Sequence, residues 1–259
     1  MTSLSIGSGV INIGNKAFCY CKGLTRVTLG SGVTSIGSEA FRYCDGLTSV
    51  TFGSSVTSIG TSAFYDCSGL TSLTIPDSVT SIGGSAFQYC SGLTSISIGS
   101  GVTSIESLTF ACCYKLTSLT IPDGVTSLGT SAFSQYSGLT SITIGSGVTS
   151  IGDKTFSSCK GLTSVTIPNN VTSIGGSAFS SCSGLTSVTI GSAVKKIGAY
   201  AFNECSSLVS ATFKTTTGWT VTTSSTATTG TAVTISDSDF AANATLLRTT
   251  HYSKYWNRA

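Results

Sequence analysis

Charged side chains are scarce in this chain. Lys and Arg together number 13 and Asp and Glu number 10 in 259 residues, which is 9% of the chain, whereas roughly a quarter of an ordinary soluble domain is charged. The formal net charge of +3 is small and scattered, and nucleic-acid binding requires Lys and Arg to be concentrated on one face. We therefore expect no nucleic-acid partner, and a surface that is rich in Ser and Thr hydroxyls.

Long apolar segments are also lacking. The chain has no run of about 18 consecutive apolar residues, so no membrane span is expected. The first twenty residues contain no basic segment followed by an unbroken apolar stretch, so we expect no export signal in the sequence as it stands. Hydrophobic residues nevertheless make up 40% of the chain, which predicts a large buried core and not a disordered chain.

The residues that enzymes need are missing or dispersed. His251 is the single histidine and lies near the C-terminus, so Ser–His or Cys–His catalysis would require this tail to fold over the rest of the chain. Asp237 and Asp239 are the closest acidic pair and are better explained as residues that begin a helix. The glycines recur as turn residues and form no phosphate-binding loop. We expect no catalysis, no cofactor and no metal.

What the chain does contain is a strict 23-residue internal repeat. We number the units so that unit 1 is residues 1–23 and unit 9 is residues 185–207. One column of the repeat is phenylalanine, at Phe18, Phe41, Phe64, Phe87, Phe110, Phe133, Phe156, Phe179 and Phe202. A second column is valine, at Val10, Val33, Val56, Val79, Val102, Val125, Val148, Val171 and Val194. Nine units follow one another without an insertion.

Each unit divides into two short strands and a tight third side. Residues 24–29 alternate apolar and polar as a half-buried strand does, and residues 33–36 form a second extended segment. Gly37 then stands at a natural position for φ > 0. Residues 38–44 are too few for more than one helical or 3₁₀ turn, and they direct Ala40, Phe41 and Cys44 inward.

A single unit is too short to enclose a core alone, so the units must stack. Successive strands then pair in parallel at about 4.8 Å. The expected fold is mainly β, a right-handed solenoid of about nine 23-residue units over residues 1–213, followed by a non-repeat Thr-rich cap or tail over residues 214–259.

The repeat resembles a known family. The pattern L-x-x-V/L/I-x-I/L-P/G-x-x-V-x-x-I-G-x-x-A-F-x-x-C, which covers residues 4–213, is similar to the BspA-like, or treponemal-type, leucine-rich repeat. The chain departs from it at Glu106 in the Gly column, Tyr136 in the Cys column, and Thr109 and Thr155 in the Ala column. The departures put the local geometry of the middle units in question, not the fold.

The resemblance implies both a location and a role. Proteins of this family are typically surface or secreted binding proteins of anaerobic bacteria and parasitic protists, associated with adhesion to host components or to other cells. It therefore implies a cell-surface or secreted protein whose partner is a protein or glycan of a host or neighbouring cell.

Eight of the ten cysteines occupy one column of the repeat, at Cys21, Cys44, Cys67, Cys90, Cys113, Cys159, Cys182 and Cys205. We expect a ladder of reduced thiols that serve as small buried hydrophobes. Zinc is disfavoured because ligands spaced one repeat apart lie in a line along the stack, whereas tetrahedral coordination needs them to converge. Cys19 and Cys112 lie outside the column, at polar positions where exposure is expected.

The period stops at Lys214. The following Thr-rich segment predicts a hairpin or loose strands anchored by Trp219. Ser236 and Asp239 have capping-box spacing and predict one short helix after them. The tail is expected to cover the apolar end of the solenoid. Alternatively, its last residues form a basic-aromatic contact segment, with His251, Tyr252, Lys254, Tyr255, Trp256 and Arg258. No comparable cap precedes Leu4, so we expect an N-terminal end that is truncated or covered by a partner.

Because the inward columns hardly vary, recognition must depend on the outward ones. After the Ala-Phe pair, the first four units carry a cluster of large polar side chains where later units carry mainly Ser: Tyr20, Arg42, Tyr43, Tyr65, Asp66, Gln88 and Tyr89. Tyrosine offers rigid amphipathic contact area, so these tyrosines and Arg42 are the candidate partner-binding residues, together with Tyr252, Tyr255 and Trp256. The alternative is ordinary surface variation.

Three functions are compatible with these observations. The first is a non-enzymatic binding or adhesion module, in which the solenoid is a rigid display surface. The second is a structural component of a cell surface or appendage that self-associates end to end. The third is an ice-binding protein that uses rows of Ser-x-Thr on a flat sheet, although sheets normally twist.

Overall fold

The computed structural model describes residues 2–226 and 229–258. It is a β-solenoid of about nine turns followed by a non-repeat C-terminal region. The first side of the solenoid is formed by β1 Ser3–Ile6, β3 Arg26–Leu29, β5 Ser49–Thr51, β7 Ser72–Thr74, β9 Ser95–Ser97, β11 Ser118–Thr120, β13 Ser141–Thr143, β15 Ser164–Thr166, β17 Ser187–Ile190 and β19 Ser210–Phe213. The second side is formed by β2 Asn12–Ile13, β4 Ser35–Ile36, β6 Ser58–Ile59, β8 Ser81–Ile82, β10 Ser104–Ile105, β12 Ser127–Leu128, β14 Ser150–Ile151, β16 Ser173–Ile174 and β18 Lys196–Ile197.

The paired strands of the solenoid run in parallel with a register of one repeat. Val27 lies opposite Val50, and Ile36 lies opposite Ile59. Strand β3 alternates exposed and buried residues, with Val27 and Leu29 inside, as the alternation of the sequence predicts. The 23-residue period therefore corresponds to one turn of the solenoid.

Three prolines interrupt the first side. Its strands form four separate sheets, β1-β3-β5, β7-β9, β11-β13 and β15-β17-β19, and each interruption falls just before a unit that carries Pro76, Pro122 or Pro168. At the same column of the repeat, the Lys214 N–H donates to the Ile190 carbonyl of the preceding unit at 3.0 Å. Proline has no N–H and cannot make this bond, so the ladder is broken at these three places.

The third side consists of successive turns closed by bonds between residues three apart, within the expected limit of one helical or 3₁₀ turn. Two residues of each unit have left-handed backbone, for example Glu39 with φ 57° and Tyr43 with φ 60°. Their N–H groups donate to the carbonyls of Thr61 and Tyr65 in the next unit, at 2.9 and 2.8 Å. A helix would direct these N–H groups along its own axis, whereas the turns direct them toward the neighbouring unit.

The glycine column serves close stacking, and the prediction of positive φ at Gly37 is wrong. Among the described glycines only Gly218 has positive φ, at 79°. A Cβ atom at Gly37 would lie 2.7 Å from the Asn15 nitrogen and 2.8 Å from the Gly14 carbonyl carbon, distances that real Cβ atoms do not adopt. A side chain here would therefore force adjacent units apart.

The core is a continuous stack of phenylalanine rings. Neighbouring rings of the Phe column are nearly parallel, with centroids 5.1 Å apart between Phe41 and Phe64 and 5.6 Å apart between Phe110 and Phe133. From Phe41 to Phe202 the rings are buried, whereas Phe18 at the first unit is partly buried. The widest spacings occur in units 5 to 7, where the sequence departs from the repeat pattern.

The departing residues satisfy their own polar groups. The Thr109 hydroxyl donates to the Glu106 carbonyl at 2.8 Å, and the Thr155 hydroxyl donates to the Gly152 carbonyl at 2.8 Å. Tyr136 is buried and packs edge-on against Phe133, with centroids 6.2 Å apart. The solenoid thus continues through these units without an interruption of the Phe stack.

All ten cysteines are free, and from Cys44 onward those of the column are buried. Their thiols donate to the carbonyl of the Phe that lies 26 residues earlier, as Cys44 does to Phe18 at 3.2 Å and Cys205 to Phe179 at 3.1 Å. Burial raises the pKa of the Cys44 thiol to about 12 and that of the Cys113 thiol to about 12. These thiols therefore act as neutral buried donors at physiological pH.

The C-terminal region contains a hairpin, a short helix and a final strand: β20 Trp219–Thr222, β21 Thr231–Ala232, α1 Phe240–Thr245 with a π-helical turn at Leu246–Thr250, and β22 Tyr255–Arg258. The hairpin of β20 and β21 confirms the expectation from the Thr-rich segment, and Trp219 is buried as its anchor. The capping expectation is partly wrong. Asp239 is the N-cap, accepting from the Ala242 N–H at 2.9 Å, and Ser236 instead accepts from the Asp239 N–H at 2.7 Å.

This region closes the open end of the solenoid on all three sides. Buried Asn243 donates to the Ala211 carbonyl of β19 at 3.1 Å. Strand β22 pairs antiparallel with β18. On the turn side, the Tyr200 N–H donates to the Tyr252 carbonyl at 2.6 Å. The cap therefore pairs backbone groups at the end of the solenoid on each of its three sides.

Removing a ring from the middle of the stack tests the core. We expect Phe110→Ala or Phe133→Ala to lower the free energy of unfolding by about 3–5 kcal/mol, because each leaves a cavity between two rings. Chemical denaturation followed by circular dichroism measures this loss. Phe240→Ala is the matched control, since Phe240 is 40% exposed and its removal should change little. An unchanged denaturation midpoint in both core variants contradicts the stacked core.

Thiol labelling tests the cysteine column. At pH 8 we expect iodoacetamide to modify exposed Cys21, while Cys44 and Cys67 stay unmodified because burial keeps their pKa high. Labelling in denaturant provides the control, in which all the cysteines should react. Mass spectrometry of protein kept from air should find no bridge between Cys44 and Cys67, and detection of that bridge contradicts the reduced ladder.

Truncation tests the cap. A chain that ends at Phe213 should keep its strand signal in circular dichroism, since each solenoid unit contacts only its neighbours. It should also associate with increasing concentration, because the rings of Phe213 and Phe202 and the edge of β19 become accessible. Light scattering against concentration measures this association. A truncated chain that stays monomeric and loses a partner bound by the intact chain would instead assign the tail a contact role.

Candidate functional site

Four tyrosines form a continuous row on the turn side of units 1 to 4, which we name the tyrosine row: Tyr20, Tyr43, Tyr65 and Tyr89. The Tyr20 ring stacks on the Tyr43 ring with centroids 4.8 Å apart. Tyr43 and Tyr65 meet edge to face at 5.6 Å, and Tyr65 and Tyr89 do so at 5.4 Å. Tyr20 is 63% exposed and Tyr89 is 37% exposed. The structure thus brings these sequence-predicted residues together into one surface, about 15 Å long at the strand spacing.

The left-handed turn positions hold the row in place. Tyr20, Tyr43 and Tyr89 occupy the same column and have φ values of 63°, 60° and 62°. Unit 3 carries Asp66 in this column, and the neighbouring Tyr65 supplies the ring there. Because the N–H groups of Tyr20, Tyr43 and Tyr89 are bonded to the next unit at 2.8 to 2.9 Å, the backbone beneath the rings is rigid.

Arg42 binds the middle of the row. Its guanidinium carbon lies 4.6 Å from the centroid of Tyr43 and 4.9 Å from that of Tyr65, as in cation–π contacts. Nη1 donates to Glu39 Oε2 at 2.8 Å, and Nη2 donates to the Tyr43 hydroxyl at 3.0 Å. Nε is buried and has no hydrogen-bond partner among the described residues.

The surface around the row is electrically balanced. Its cations and carboxylates are equal in number: Lys16, Lys22 and Arg42 against Glu39, Asp45 and Asp66. Glu39 contacts both Lys16, at 3.5 Å, and Arg42, at 2.8 Å, and the hydrogen bond from Arg42 lowers the pKa of its carboxyl group. Burial raises the pKa of the Tyr65 hydroxyl. The rings therefore present a neutral amphipathic surface at physiological pH.

The sequence interpretation misjudged Cys112, which lies beside the row. Cys112 was expected to be exposed, but it is buried. Its thiol lies near the Tyr89 and Tyr114 hydroxyls and raises the pKa of both, that of Tyr114 to about 12. Cys112 occupies the column of Tyr89, which was the signal that could have placed it beside the row.

The tail residues lie apart from the row, at the cap. Trp256 is wrong as a contact residue, because it is 2% exposed and packs against Phe213 and Trp219, with both pairs of centroids 6.2 Å apart. Tyr252 is 40% exposed and meets Tyr200 edge to face at 5.8 Å. Tyr255 is half-buried in β22.

No group of three His, Cys, Asp or Glu side chains within residues 2–226 and 229–258 is arranged to hold a metal ion. Over the same residues, no helix is long and apolar enough to cross a membrane.

The comparison with protein families identifies the repeat. The model of the BspA type leucine rich repeat region, which has six copies, matches residues 11–138 and 126–251. The chain therefore belongs to the BspA-type leucine-rich repeat family, and its nine turns are leucine-rich repeats. A fold of this class is typically a non-catalytic scaffold that serves as a binding module. No curated protein has a sequence that matches this chain.

Solved structures agree with this assignment. A leucine rich cell surface protein from Faecalibacterium prausnitzii A2-165 is 28% identical, with a TM-score of 0.50 over 84% of this chain and 80% of that one. The pneumococcal vaccine antigen PcpA is 23% identical, with a TM-score of 0.56 over 82% of this chain and 62% of that one. The likeness to PcpA extends to the fold alone.

Proposed function

We propose that this chain is a non-enzymatic adhesion module that binds a protein or glycan of a host or neighbouring cell through the tyrosine row. The observation that carries the proposal is the row itself. Four rings contact one another along the turn side of units 1 to 4, whereas units 5 to 9 carry no tyrosine in the same two columns and units 7 and 8 carry only Ser there. Tyrosine is enriched in protein interfaces because one rigid ring combines apolar area with a hydroxyl.

The chemistry of the row favours an uncharged contact. Three cations are matched by three carboxylates around it, so long-range attraction to a strongly charged partner is weak. The rings offer apolar faces, and their hydroxyls can donate to and accept from a partner. A protein surface or a neutral glycan fits this combination.

The rigidity of the scaffold also supports binding. The backbone under the row is hydrogen-bonded to the next unit on the turn side, and the rings lean on one another and on Arg42. Little conformational entropy is therefore lost when a partner binds.

A cell-surface location is part of the proposal. The Faecalibacterium prausnitzii relative is described as a cell surface protein, and the family resemblance of the repeat points the same way. At a surface, a stack of nine rigid units would hold the tyrosine row at a defined distance from its attachment.

Ice binding is less well supported than adhesion. That function requires an uninterrupted flat array of hydroxyls, but the first side is broken before each of its three proline units. Thermal hysteresis at micromolar concentration should therefore be absent.

The binding proposal is tested with a glycan and extracellular-matrix array probed with the intact chain. Any ligand found is then titrated against the variant Tyr43→Ser/Tyr65→Ser/Tyr89→Ser. Serine occupies the equivalent positions of later units, at Ser157, Ser158, Ser180 and Ser181, so the fold should be retained. We expect affinity to fall at least about tenfold, as when interface hot spots are removed.

Phe240→Ser is the matched control, because it removes an exposed aromatic ring at the opposite end of the solenoid. It should leave this affinity unchanged. A triple variant that binds as tightly as the original chain, or an array without any ligand, contradicts the proposal. Self-association of the intact chain in light scattering, with no other ligand, would favour the structural function instead.

A further inference from the structure

A second surface, which we name the cap groove, lies between the second side of units 7 to 9 and strand β22. It encloses about 660 Å³, within the range of roughly 300–1,000 Å³ that is usual for ligand sites. The floor is formed by the glycines that follow β14, β16 and β18. The walls carry Asp153, Lys154, Lys196, Tyr200 and Tyr255.

The same groove in units 2 to 5 provides an internal comparison. There it encloses about 350 Å³ and is lined by Ser, Thr, Gly and Ile, with Glu106 as its charged residue. The cap groove differs by having two lysines, two tyrosines and an amide. The difference has two causes. Unit 9 has the sequence VKKIG where units 7 and 8 have VTSIG, and β22 covers the end of the solenoid.

Asn257 supplies an unused donor to this groove. Asn257 lies on β22 opposite Lys196 and is one of the residues that line the cavity. Its Nδ2 atom is buried and has no hydrogen-bond partner among the described residues. A buried amide nitrogen without a partner costs free energy, and an acceptor from a bound ligand would satisfy it if the amide turns toward the groove.

The charged groups of the groove are also available. Lys154 and Lys196 are exposed, and neither forms an ion pair with another described residue. Asp153 Oδ1 accepts from the Gly176 N–H at 2.6 Å, which fixes the carboxylate and leaves Oδ2 to accept from a ligand. Two cations face one carboxylate, so the groove attracts anions.

The backbone of the groove argues against a phosphate ligand. Phosphate-binding loops present free N–H groups. Here the N–H groups of Gly152, Gly175 and Gly198 donate to the preceding unit at 2.8 Å, and that of Tyr200 donates to Tyr252. Side chains must therefore make the contacts, with cations for a carboxylate, and donors and acceptors together for hydroxyls.

We propose that the cap groove binds a carboxylated saccharide, such as a sialic or uronic acid residue. Lys154 and Lys196 attract the carboxylate. Asp153 accepts from sugar hydroxyls and Asn257 Nδ2 donates to one. Tyr200, which is 45% exposed, offers an aromatic face to the apolar side of the sugar ring. This site does not depend on the tyrosine row, which lies at the other end of the solenoid.

The test is isothermal titration calorimetry of the full chain with 3′-sialyllactose and with a hyaluronan tetrasaccharide. Lactose is the neutral match for the first probe. We expect binding of at least one carboxylated probe and about tenfold weaker or undetectable binding of lactose, since hydrogen bonds to a charged group are stronger than neutral ones. Added salt should weaken the binding of the carboxylated probe.

Matched variants locate the site. Lys196→Ser restores the residue that units 7 and 8 carry at Ser150 and Ser173, and Tyr200→Ser restores that of Ser177, so both should fold as the original chain does. Each substitution should weaken binding of the carboxylated probe about tenfold. Asn257→Leu should also weaken this binding, because it removes the donor without a change of charge. The triple variant of the tyrosine row should bind the probe with unchanged affinity.

Four results would overturn the assignment. They are no binding of either carboxylated probe, equal binding of lactose, an unchanged affinity in Lys196→Ser, and equal binding of the carboxylated peptide N-acetyl-Tyr-Glu, which would indicate a peptide site. Because the tyrosine row is untouched in the groove variants, loss of groove binding leaves the adhesion proposal standing, and the reverse also holds.

Discussion

The close approach of successive units is the constraint on which the rest of this structure depends. Stacked Phe rings of neighbouring units have centroids 5.1 to 5.6 Å apart, which is compatible with the separation of about 4.8 Å at which paired strands share hydrogen bonds. The glycine column permits this spacing, because a Cβ at Gly60 would lie 2.6 Å from the Ser38 nitrogen. A larger residue in this column would therefore weaken the ring stack and the backbone ladders together.

This constraint separates the residues that hold the fold from those that can vary. The inward columns must keep one size and shape, and Tyr136 shows how much change they absorb when a neighbouring ring accommodates it. The turn columns point outward at left-handed positions whose N–H groups are already bonded. Their side chains can therefore change from Ser to Tyr at little structural cost. Recognition can evolve in these columns without a change in the solenoid.

Much of the fold could be predicted because the same pattern of apolar and turn residues recurs nine times. The Phe column, the alternation in β3 and the hairpin at Trp219 could all be predicted from the sequence. The residues of the tyrosine row could also be predicted, but the contacts of Arg42 and Glu39 that support the row could not. The errors share one cause, contacts between units. Gly37 is required by the backbone of the neighbouring unit and not by its own φ. Cys112 is buried beside the tyrosine row, and Trp256 is buried against Phe213 and Trp219, which are far from it in the sequence. A pattern read within one unit carries no information about these contacts.

The cap shows why a repeat protein can bring chemically different side chains together where the repeat ends. Within the stack, the backbone donors of the three sides bond to carbonyls of neighbouring units or of their own unit, and the groove is lined mainly by Gly, Ser, Thr and Ile. At the end, β22 must pair with β18 in the antiparallel sense, so its side chains are not copies of the column they continue. Asn257 and Tyr255 thereby enter a groove that elsewhere holds repeated small residues, and Lys196 replaces serine beside them. The need to close the last unit brings unlike side chains together, and a binding site requires such a combination.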